Sequence, residues 1–299
     1  MRYIKLCLLL SLLLTVSCQQ HKERKRPLLL ASIHPYELLL KQLAGSDFDV
    51  QCIIPANASP HTWSPNPSDL KAIMEASFIL SNGLGLEAHL ENSFATRAFV
   101  RVQAAKLIKD AIPHPVDEQH EADGDHQHLG QDPHLWTSPR LMIRLVTAVA
   151  NELSRRFPNS ALVFRQNAET MRRELDEAAE LIKTEREAYL EPGLITYHNT
   201  FYYFTKEFDI KYLGWVQFSP GKEPRPKDLA GLGETIQAHK VKAVFIEPQM
   251  DRKAGEVLAK EFGLKLLLLD SLGSDAKAKT IAELILTNWD SMKEAFTEK

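Results

Sequence analysis

The chain has 299 residues, of which 44% are hydrophobic and 25% charged, and it contains 13 glycines and 16 prolines. This composition excludes a collagenous, coiled-coil or wholly disordered chain, and the length suggests about two domains, each with its own core. The formal net charge of -3 argues against general nucleic-acid binding, which needs a basic face. Three cysteines cannot support a dense disulfide scaffold, whereas eleven histidines are unusually many.

The first residues predict export. Two basic residues precede an apolar run, residues 6–16, that is shorter than the ~20 residues of a spanning helix. We interpret residues 1–17 as a secretory signal peptide. Cys18 follows a small residue, as in bacterial lipoproteins, which predicts a lipidated Cys18, a tether over 18–27 and a place on the outer face of the cytoplasmic membrane, in a periplasm or at the cell surface. The alternative is an ordinary cleaved signal.

Short apolar runs alternate with helix-like segments along the rest of the chain. The runs cover residues 28–33, 50–54, 78–81, 194–197, 243–246 and 264–269. Helical patterns follow them, for example over 35–43 and 67–76, where Asn66 is a candidate N-cap and Pro67 suits the first turn. This alternation favours parallel sheets with helices on their faces, so the predicted fold class is α/β.

Residues 159–191 interrupt the alternation because they lack glycine and proline and repeat apolar residues at a mostly helical spacing. They predict one rigid helix, ~45 Å long at 1.5 Å per residue. This helix would lie in a helical segment, 141–191, and join an N-terminal lobe, 28–140, to a C-terminal lobe, 192–299. The alternative is a helical hairpin packed within one domain.

Residues 114–130 are rich in histidine and acidic residues and nearly lack apolar side chains. The histidines of this segment are His114, His120, His126 and His128. Such a composition predicts a disordered loop that binds metal weakly and serves as an auxiliary metal site. A purely solvated loop is the alternative.

Four candidate metal ligands occupy similar places in the predicted topology. His61 lies in the loop after the second run, and His134 precedes a helix that starts near Pro139. His198 directly follows the run 194–197, and Asp270 ends the run 264–269. Because ligands bind beyond the carboxyl ends of parallel strands, we expect these groups, two from each half, to meet in a cleft between the lobes.

Three imidazoles and one carboxylate favour a borderline metal ion, and zinc in particular. One carboxylate leaves the site positively charged, so further acidic groups are expected to contact the imidazoles on the side away from the metal and to fix their tautomers. Asp132 and Glu247 are the candidates for this second layer. For Glu247 the alternative is a residue at a strand end that caps the next helix.

Five segments of the chain, in order, resemble the zinc and manganese solute-binding proteins of bacterial ABC importers, and the resemblance covers nearly all of residues 28–299. The segments are SPHTWSPNPSD at 59–69, NGLGLE at 82–87, DPHLW at 132–136, YHNTF at 197–201 and FIEPQ at 245–249.

The resemblance implies two α/β lobes joined by a single long helix, with the metal between them. By motif position it makes His61, His134, His198 and Asp270 the ligands, although water or another oxygen could replace Asp270. Manganese-binding members tend to carry glutamate where His198 stands, so the resemblance favours the zinc subgroup. It also implies two partners, a membrane permease and a separate ATPase.

The resulting hypothesis is a monomeric zinc-capture protein, not an enzyme, that binds no nucleic acid. A binder of Mn²⁺ or Fe²⁺ on the same scaffold is the first alternative. A zinc hydrolase, with Glu247 as the base, and a surface adhesin are less favoured alternatives.

Overall fold

The computed structural model describes residues 26–112, 132–190, 193–217 and 226–296, and within them two four-stranded parallel sheets. The first sheet consists of β1 (Leu28–Ala31), β2 (Asp49–Cys52), β3 (Phe78–Ser81) and β4 (Arg101–Gln103). The second consists of β5 (Gly193–Thr196), β6 (Lys211–Trp215), β7 (Ala243–Ile246) and β8 (Lys265–Leu268). The strand orders are β2-β1-β3-β4 and β6-β5-β7-β8, and every pairing is parallel. The predicted α/β class is confirmed.

Helices flank both sheets and connect them. Those of the first half are α1 (His34–Ala44), α2 (Pro67–Glu75), α3 (Glu91–Ala95) and α4 (Ala104–Leu107). The remaining helices are α5 (Pro139–Arg156), α6 (Ala161–Arg186), α7 (Tyr202–Glu207), α8 (Pro226–His239), α9 (Lys253–Phe262) and α10 (Ile281–Lys293). In the described ranges, none of the helices combines the length and the apolar character needed to cross a bilayer.

Local sequence signals account for where several helices begin and end. Asn66 caps α2 in a capping box with Asp69, and the side chain of Ser138 caps α5 by accepting from the backbone N–H of Leu141. A proline occupies the first helical position after each of these caps, where no hydrogen bond is lost. Gly263, with φ +65°, ends α9 in the left-handed conformation that glycine adopts without strain.

The long helix that the sequence predicts between the lobes is α6, with 26 residues. It buries one stripe of side chains at helical spacing: Phe164, Ala168, Met171, Leu175, Ala178 and Ile182. This stripe packs against α5, against α1 of the first half and against α10 of the second. Helix α6 therefore forms a hairpin with α5 and also connects the two halves of the protein. The alternative, a hairpin packed within one domain, describes only the first of these contacts.

A continuous hydrophobic core joins the two sheets. It runs from β1 and α1 through α5 and α6 to α10, and it includes Leu194 and Phe245 of the second sheet. Neighbouring residues of the same strands, Ile195 and Val244, point to the opposite face and form a separate cluster with α8 and α9. The second sheet is thus buried on both faces, as expected for a parallel sheet.

Two strands, β4 and β6, are absent from the sequence prediction. Both lie at the end of a sheet, and neither contains a fully buried residue. Strand β6 also contains a register shift opposite Leu194 and Ile195, beside Gly214. Edge strands of this kind lack the continuous apolar run that marks a central strand, so the sequence carried no signal for them.

Other predictions differ from the structure or fall outside it. Helix α6 is shorter than the predicted span 159–191, because residues Pro158–Ser160 form a 3-10 turn and the α-helix ends at Arg186. The signal peptide 1–17, Cys18 and almost all of the tether lie outside the described residues, as does the histidine-rich loop with His114, His120, His126 and His128.

The capping box at Asn66 predicts a measurable contribution to stability. Asn66→Ala removes the acceptor for the backbone N–H groups of Ser68 and Asp69, and we expect it to lower the free energy of unfolding by about 1 kcal/mol. Urea unfolding followed by circular dichroism measures this change. Asn66→Ser keeps a good N-cap and serves as the control; equal losses in the two variants would contradict the capping role.

Candidate metal centre

Three histidine side chains converge between the two sheets. In the described part of the chain, one cluster brings three or more potential ligand atoms of His, Cys, Asp or Glu within 4.8 Å of one another, and its members are His61, His134 and His198. Their ring centroids lie 4.9 to 5.5 Å apart. His134 and His198 are buried, whereas His61 is partly exposed.

The topology of the sheets accounts for this convergence. His61 lies in the loop after β2, and His134 lies in the segment that leads into α5. His198 follows β5 and Glu247 follows β7, two neighbouring strands from which the sheet continues in opposite directions. Chains leaving such a pair of strands diverge and open a crevice at their carboxyl ends.

The spacing of the imidazole nitrogens suits a tetrahedral ion. Nε2 of His61 lies 3.4 Å from Nε2 of His134. A zinc ion about 2.05 Å from each of two nitrogens in a tetrahedral arrangement would place those nitrogens about 3.3 Å apart. The two rings are therefore already spaced for a shared ion.

Asp132 orients the imidazole of His134. Its Oδ1 lies 2.9 Å from Nδ1 of His134 and also accepts a hydrogen bond from the backbone N–H of His134 at 2.8 Å. A carboxylate can only accept, so Nδ1 carries the hydrogen and Nε2 keeps a free lone pair. Asp132 thus has the contact expected of a residue in the second layer.

A chain of two hydrogen bonds orients His198. The Thr200 hydroxyl donates to Oε1 of Glu247 at 2.8 Å, and its oxygen lies 2.9 Å from Nδ1 of His198. Since the hydroxyl has one hydrogen, Nδ1 of His198 is the donor in the second contact, which leaves Nε2 free. The other oxygen of Glu247 lies 3.3 Å from the same Nδ1. Glu247 therefore supports His198 with its side chain and does not cap the next helix.

The environment of His61 keeps its ring neutral. Burial, and then the proximity of His134, His198 and His89, lower the pKa of His61 to about 2. Protonation would place a positive charge in a dry site beside two further imidazoles. At neutral pH the ring of His61 is thus available to bind a cation.

Asp270 lies at the end of β8, as predicted, but its carboxylate is outside the histidine cluster. Oδ2 accepts hydrogen bonds from the backbone N–H of Ser274 at 2.6 Å and from its hydroxyl at 2.7 Å. The backbone of Asp270 is held by Asn288, which bonds both its N–H and its C=O. Asp270 remains a predicted ligand, and the bonds to Ser274 are both made by Oδ2.

The cleft around the three histidines is about the size of one water molecule. Its wall also includes Trp136, Glu247, Gln249 and Leu272. Among the described residues, the buried Oε1 of Gln249 has no hydrogen-bond partner, whereas Oε2 of Glu247 faces Nδ1 of His198. A small cleft lined by three imidazoles suits a single cation better than an organic substrate.

Sequence reasoning missed Thr200 and Trp136. Thr200 mediates between His198 and Glu247, and the indole N–H of Trp136 donates to the carbonyl of Ser271, one residue beyond Asp270. A threonine two residues after a candidate ligand was a usable signal, because hydroxyls at this spacing often bond locally. The contact of Trp136 joins residues 135 positions apart and has no local signal.

Comparison with known proteins identifies relatives along nearly the whole chain. The family model described as ZnuA, zinc-uptake complex component A, periplasmic, matches residues 29–295. A putative metal-binding protein of Thermotoga maritima is 30% identical over 271 residues, which cover 89% of this chain and 92% of that protein. The high-affinity zinc uptake system protein ZnuA of Bacillus subtilis is 28% identical over 279 residues, 90% of this chain and 87% of that protein.

Solved structures share the fold. A crystal structure of a ZnuA deletion mutant with zinc bound matches with a TM-score of 0.77 at 24% identity, over 92% of this chain and 99% of that one. The periplasmic zinc-binding protein TroA of Treponema pallidum matches with a TM-score of 0.79 at 22% identity, over 90% and 99%. These similarities support the two-lobed α/β architecture.

The low pKa of His61 predicts that the metal-free protein loses stability in acid. The unfolded chain binds a proton at His61 below about pH 6.5, whereas the folded protein binds it only near pH 2. The free energy of unfolding therefore decreases as the pH is lowered below about 6.5. The loss reaches ~1.4 kcal/mol per pH unit for one such group. Urea unfolding at pH 7, 6 and 5 should show a shallower fall for His61→Gln than for the native protein. Parallel pH profiles would contradict the assignment.

Proposed function

The chain belongs to the family of ZnuA, the periplasmic component A of zinc-uptake complexes, and on this basis we propose that it captures Zn²⁺ outside the cytoplasm and delivers it to an ABC importer. The observation that carries the proposal is the 3.4 Å approach of two imidazole Nε2 atoms, with a third imidazole beside them. Nε2 of His134 presents a lone pair here, and Nε2 of His61 lies at the distance at which both nitrogens would bind one tetrahedral cation.

We propose His61, His134 and His198 as the protein's nitrogen ligands and Asp270 as its oxygen ligand. The orientation of His134 and His198 by acceptors at Nδ1 supports the first part, because it directs both Nε2 atoms away from their partners. The place of Asp270 at the carboxyl end of β8 supports the second. A water molecule in place of Asp270 is the alternative.

The donor set favours zinc over manganese. Imidazole nitrogens suit Zn²⁺, whereas Mn²⁺ prefers sites rich in carboxylate and carbonyl oxygen. Three neutral nitrogens and one carboxylate leave little oxygen for a harder ion. Competitive titration with Zn²⁺ and Mn²⁺, followed by elemental analysis of the loaded protein, tests this preference; stoichiometric manganese in the presence of zinc would overturn it.

The transport role requires partners. The sequence has no glycine loop of the Walker type, so the ATPase that drives import is a separate chain, and a permease receives the ion. Lipidation at Cys18 would keep the protein at the membrane near that permease, and the histidine-rich residues 114–130 would collect zinc when it is scarce. Mass spectrometry of the mature protein tests the lipid anchor.

The size of the cleft supports binding rather than catalysis. A hydrolase needs an open coordination position together with room for its substrate. The space beside the three histidines accommodates an ion or a water molecule. Loss of bound zinc to a chelator, without turnover of ester, amide or phosphate substrates, is the expected behaviour.

The three histidines can be tested by single substitutions. His61→Ala, His134→Ala and His198→Ala each remove one nitrogen donor, and we expect zinc affinity to fall by at least about 100-fold in each, more than for loss of a second-layer group. Competition with a fluorescent chelator measures the affinity. His239→Ala, on the exposed end of α8, is the control. Native affinity in all three variants would refute the site.

Asp270 can be tested in the same assay. Asp270→Asn removes the anionic oxygen that would offset one charge of the ion, so we expect a loss of zinc affinity of at least about tenfold. The matched control is Asp275→Asn, in the same loop, where the carboxylate bonds Lys277 instead. If the two variants bind zinc equally well, water is the better assignment for the fourth ligand.

A further inference from the structure

The segment that carries His134 is held by donors from both halves of the protein. The carbonyl oxygen of Asp132 accepts a hydrogen bond from the hydroxyl of Tyr203 at 2.7 Å. The next carbonyl, that of Pro133, accepts one from Nδ2 of Asn82 at 2.9 Å. Asn82 follows β3 of the first sheet, whereas Tyr203 lies on α7, after β5 of the second. Two adjacent carbonyls thus join the halves directly before His134.

Helix α7 connects this junction to His198. It begins four residues after His198 and contacts the segment that carries His134. The position of His198 is therefore linked through the backbone to the helix that holds His134. A second contact lies at the far end of the segment, where the carboxylate of Glu207 accepts from the hydroxyl of Ser138 and from the backbone N–H of Arg140. Tyr203 and Glu207 therefore hold the segment of His134 on both sides.

The contact of Tyr203 is close to the group that orients His134. The same residue, Asp132, offers its carbonyl to Tyr203 and its carboxylate to Nδ1 of His134. Tyr203 is buried, with 4% of its surface exposed, and burial together with nearby Asp132 raises its pKa. Its hydroxyl thus remains protonated and donates throughout the physiological pH range.

We propose that Tyr203 is a positioning residue of the metal centre: through the backbone of Asp132 it sets the imidazole of His134 relative to that of His198. The inference rests on the proposed function, since it assigns Tyr203 a role in binding the ion that the histidines hold. Without the hydroxyl, the carbonyl of Asp132 loses this donor, and the start of the segment is held less tightly to α7, although Glu207 still holds its far end.

A matched pair of substitutions isolates the hydroxyl. Tyr203→Phe removes one oxygen atom and keeps the ring, which packs edge-on against its neighbour Tyr202. Tyr202→Phe makes the same chemical change one residue earlier on the same helix. Its ring contacts Lys206 and Tyr203, and it lies outside the hydrogen bonds that hold the His134 segment.

We expect Tyr203→Phe to lower zinc affinity roughly three- to tenfold, as for loss of one supporting hydrogen bond, and Tyr202→Phe to leave it unchanged. Chelator competition measures zinc affinity. The visible absorption spectrum of the Co²⁺-loaded protein reports ligand geometry, and it should change in Tyr203→Phe alone. Thermal unfolding of the metal-free Tyr203→Phe variant should show a midpoint lower by a few degrees, because a carbonyl loses its donor, and the double variant with His134→Ala separates this loss of stability from positioning.

A His134→Ala background separates positioning from general stability. With no imidazole to position, Tyr203→Phe should change the residual zinc affinity by less than about twofold. The inference fails if Tyr203→Phe binds zinc and Co²⁺ as Tyr202→Phe does, or if its loss of affinity persists in the His134→Ala background. Native zinc binding by Tyr202→Phe shows that such a failure leaves the proposed function intact.

Discussion

Imidazole nitrogens that face one another at 3.4 Å are the arrangement on which the rest of the site depends. With Nε2 of His134 unprotonated, Nε2 of His61 can face it as an N–H donor or as a second lone pair, and a divalent cation between the rings would bind both lone pairs. The surroundings of the cluster orient two of the rings and lower the pKa of the third. Asp132 and the Thr200–Glu247 pair hold the hydrogens of His134 and His198 on Nδ1, while burial lowers the pKa of His61. His134 and His198 are thereby oriented toward the centre of the cluster, and the ring of His61 is kept neutral.

The histidines of the cluster are not held equally. The segment of His134 receives hydrogen bonds from Asn82 in the first half and from Tyr203 in the second, and Trp136 bonds the loop after β8. The loop of His61 is closed by turns of its own, such as the bond from the N–H of Trp63 to the carbonyl of Ser59. The segment of His134 is therefore fixed by contacts from both halves, whereas the described bonds of the His61 loop include local turns.

The connection between the two halves limits which movements the metal centre can undergo. Helix α6 packs on α1, α5 and α10, and one continuous core extends across both sheets, so rotation of one half against the other would expose apolar surface. Changes within loops cost less. The carboxylate of Asp270, bonded to Ser274, and the partly exposed ring of His61 lie outside this core.

The sequence by itself determined the α/β class, the four central strands with the edge strands β2 and β8, the capped start of α2, the start of α5 near Pro139, and the three histidines that meet in the cluster, because these depend on local periodicity and on residue chemistry near strand ends. Tertiary structure alone decided the edge strands β4 and β6, the true length of α6, and the contacts that orient the imidazoles. Residues such as Thr200, Tyr203 and Trp136 act through partners 47, 71 and 135 positions away. Hydrogen bonds of that range arise only when the whole chain has packed, and so they leave no pattern in neighbouring residues.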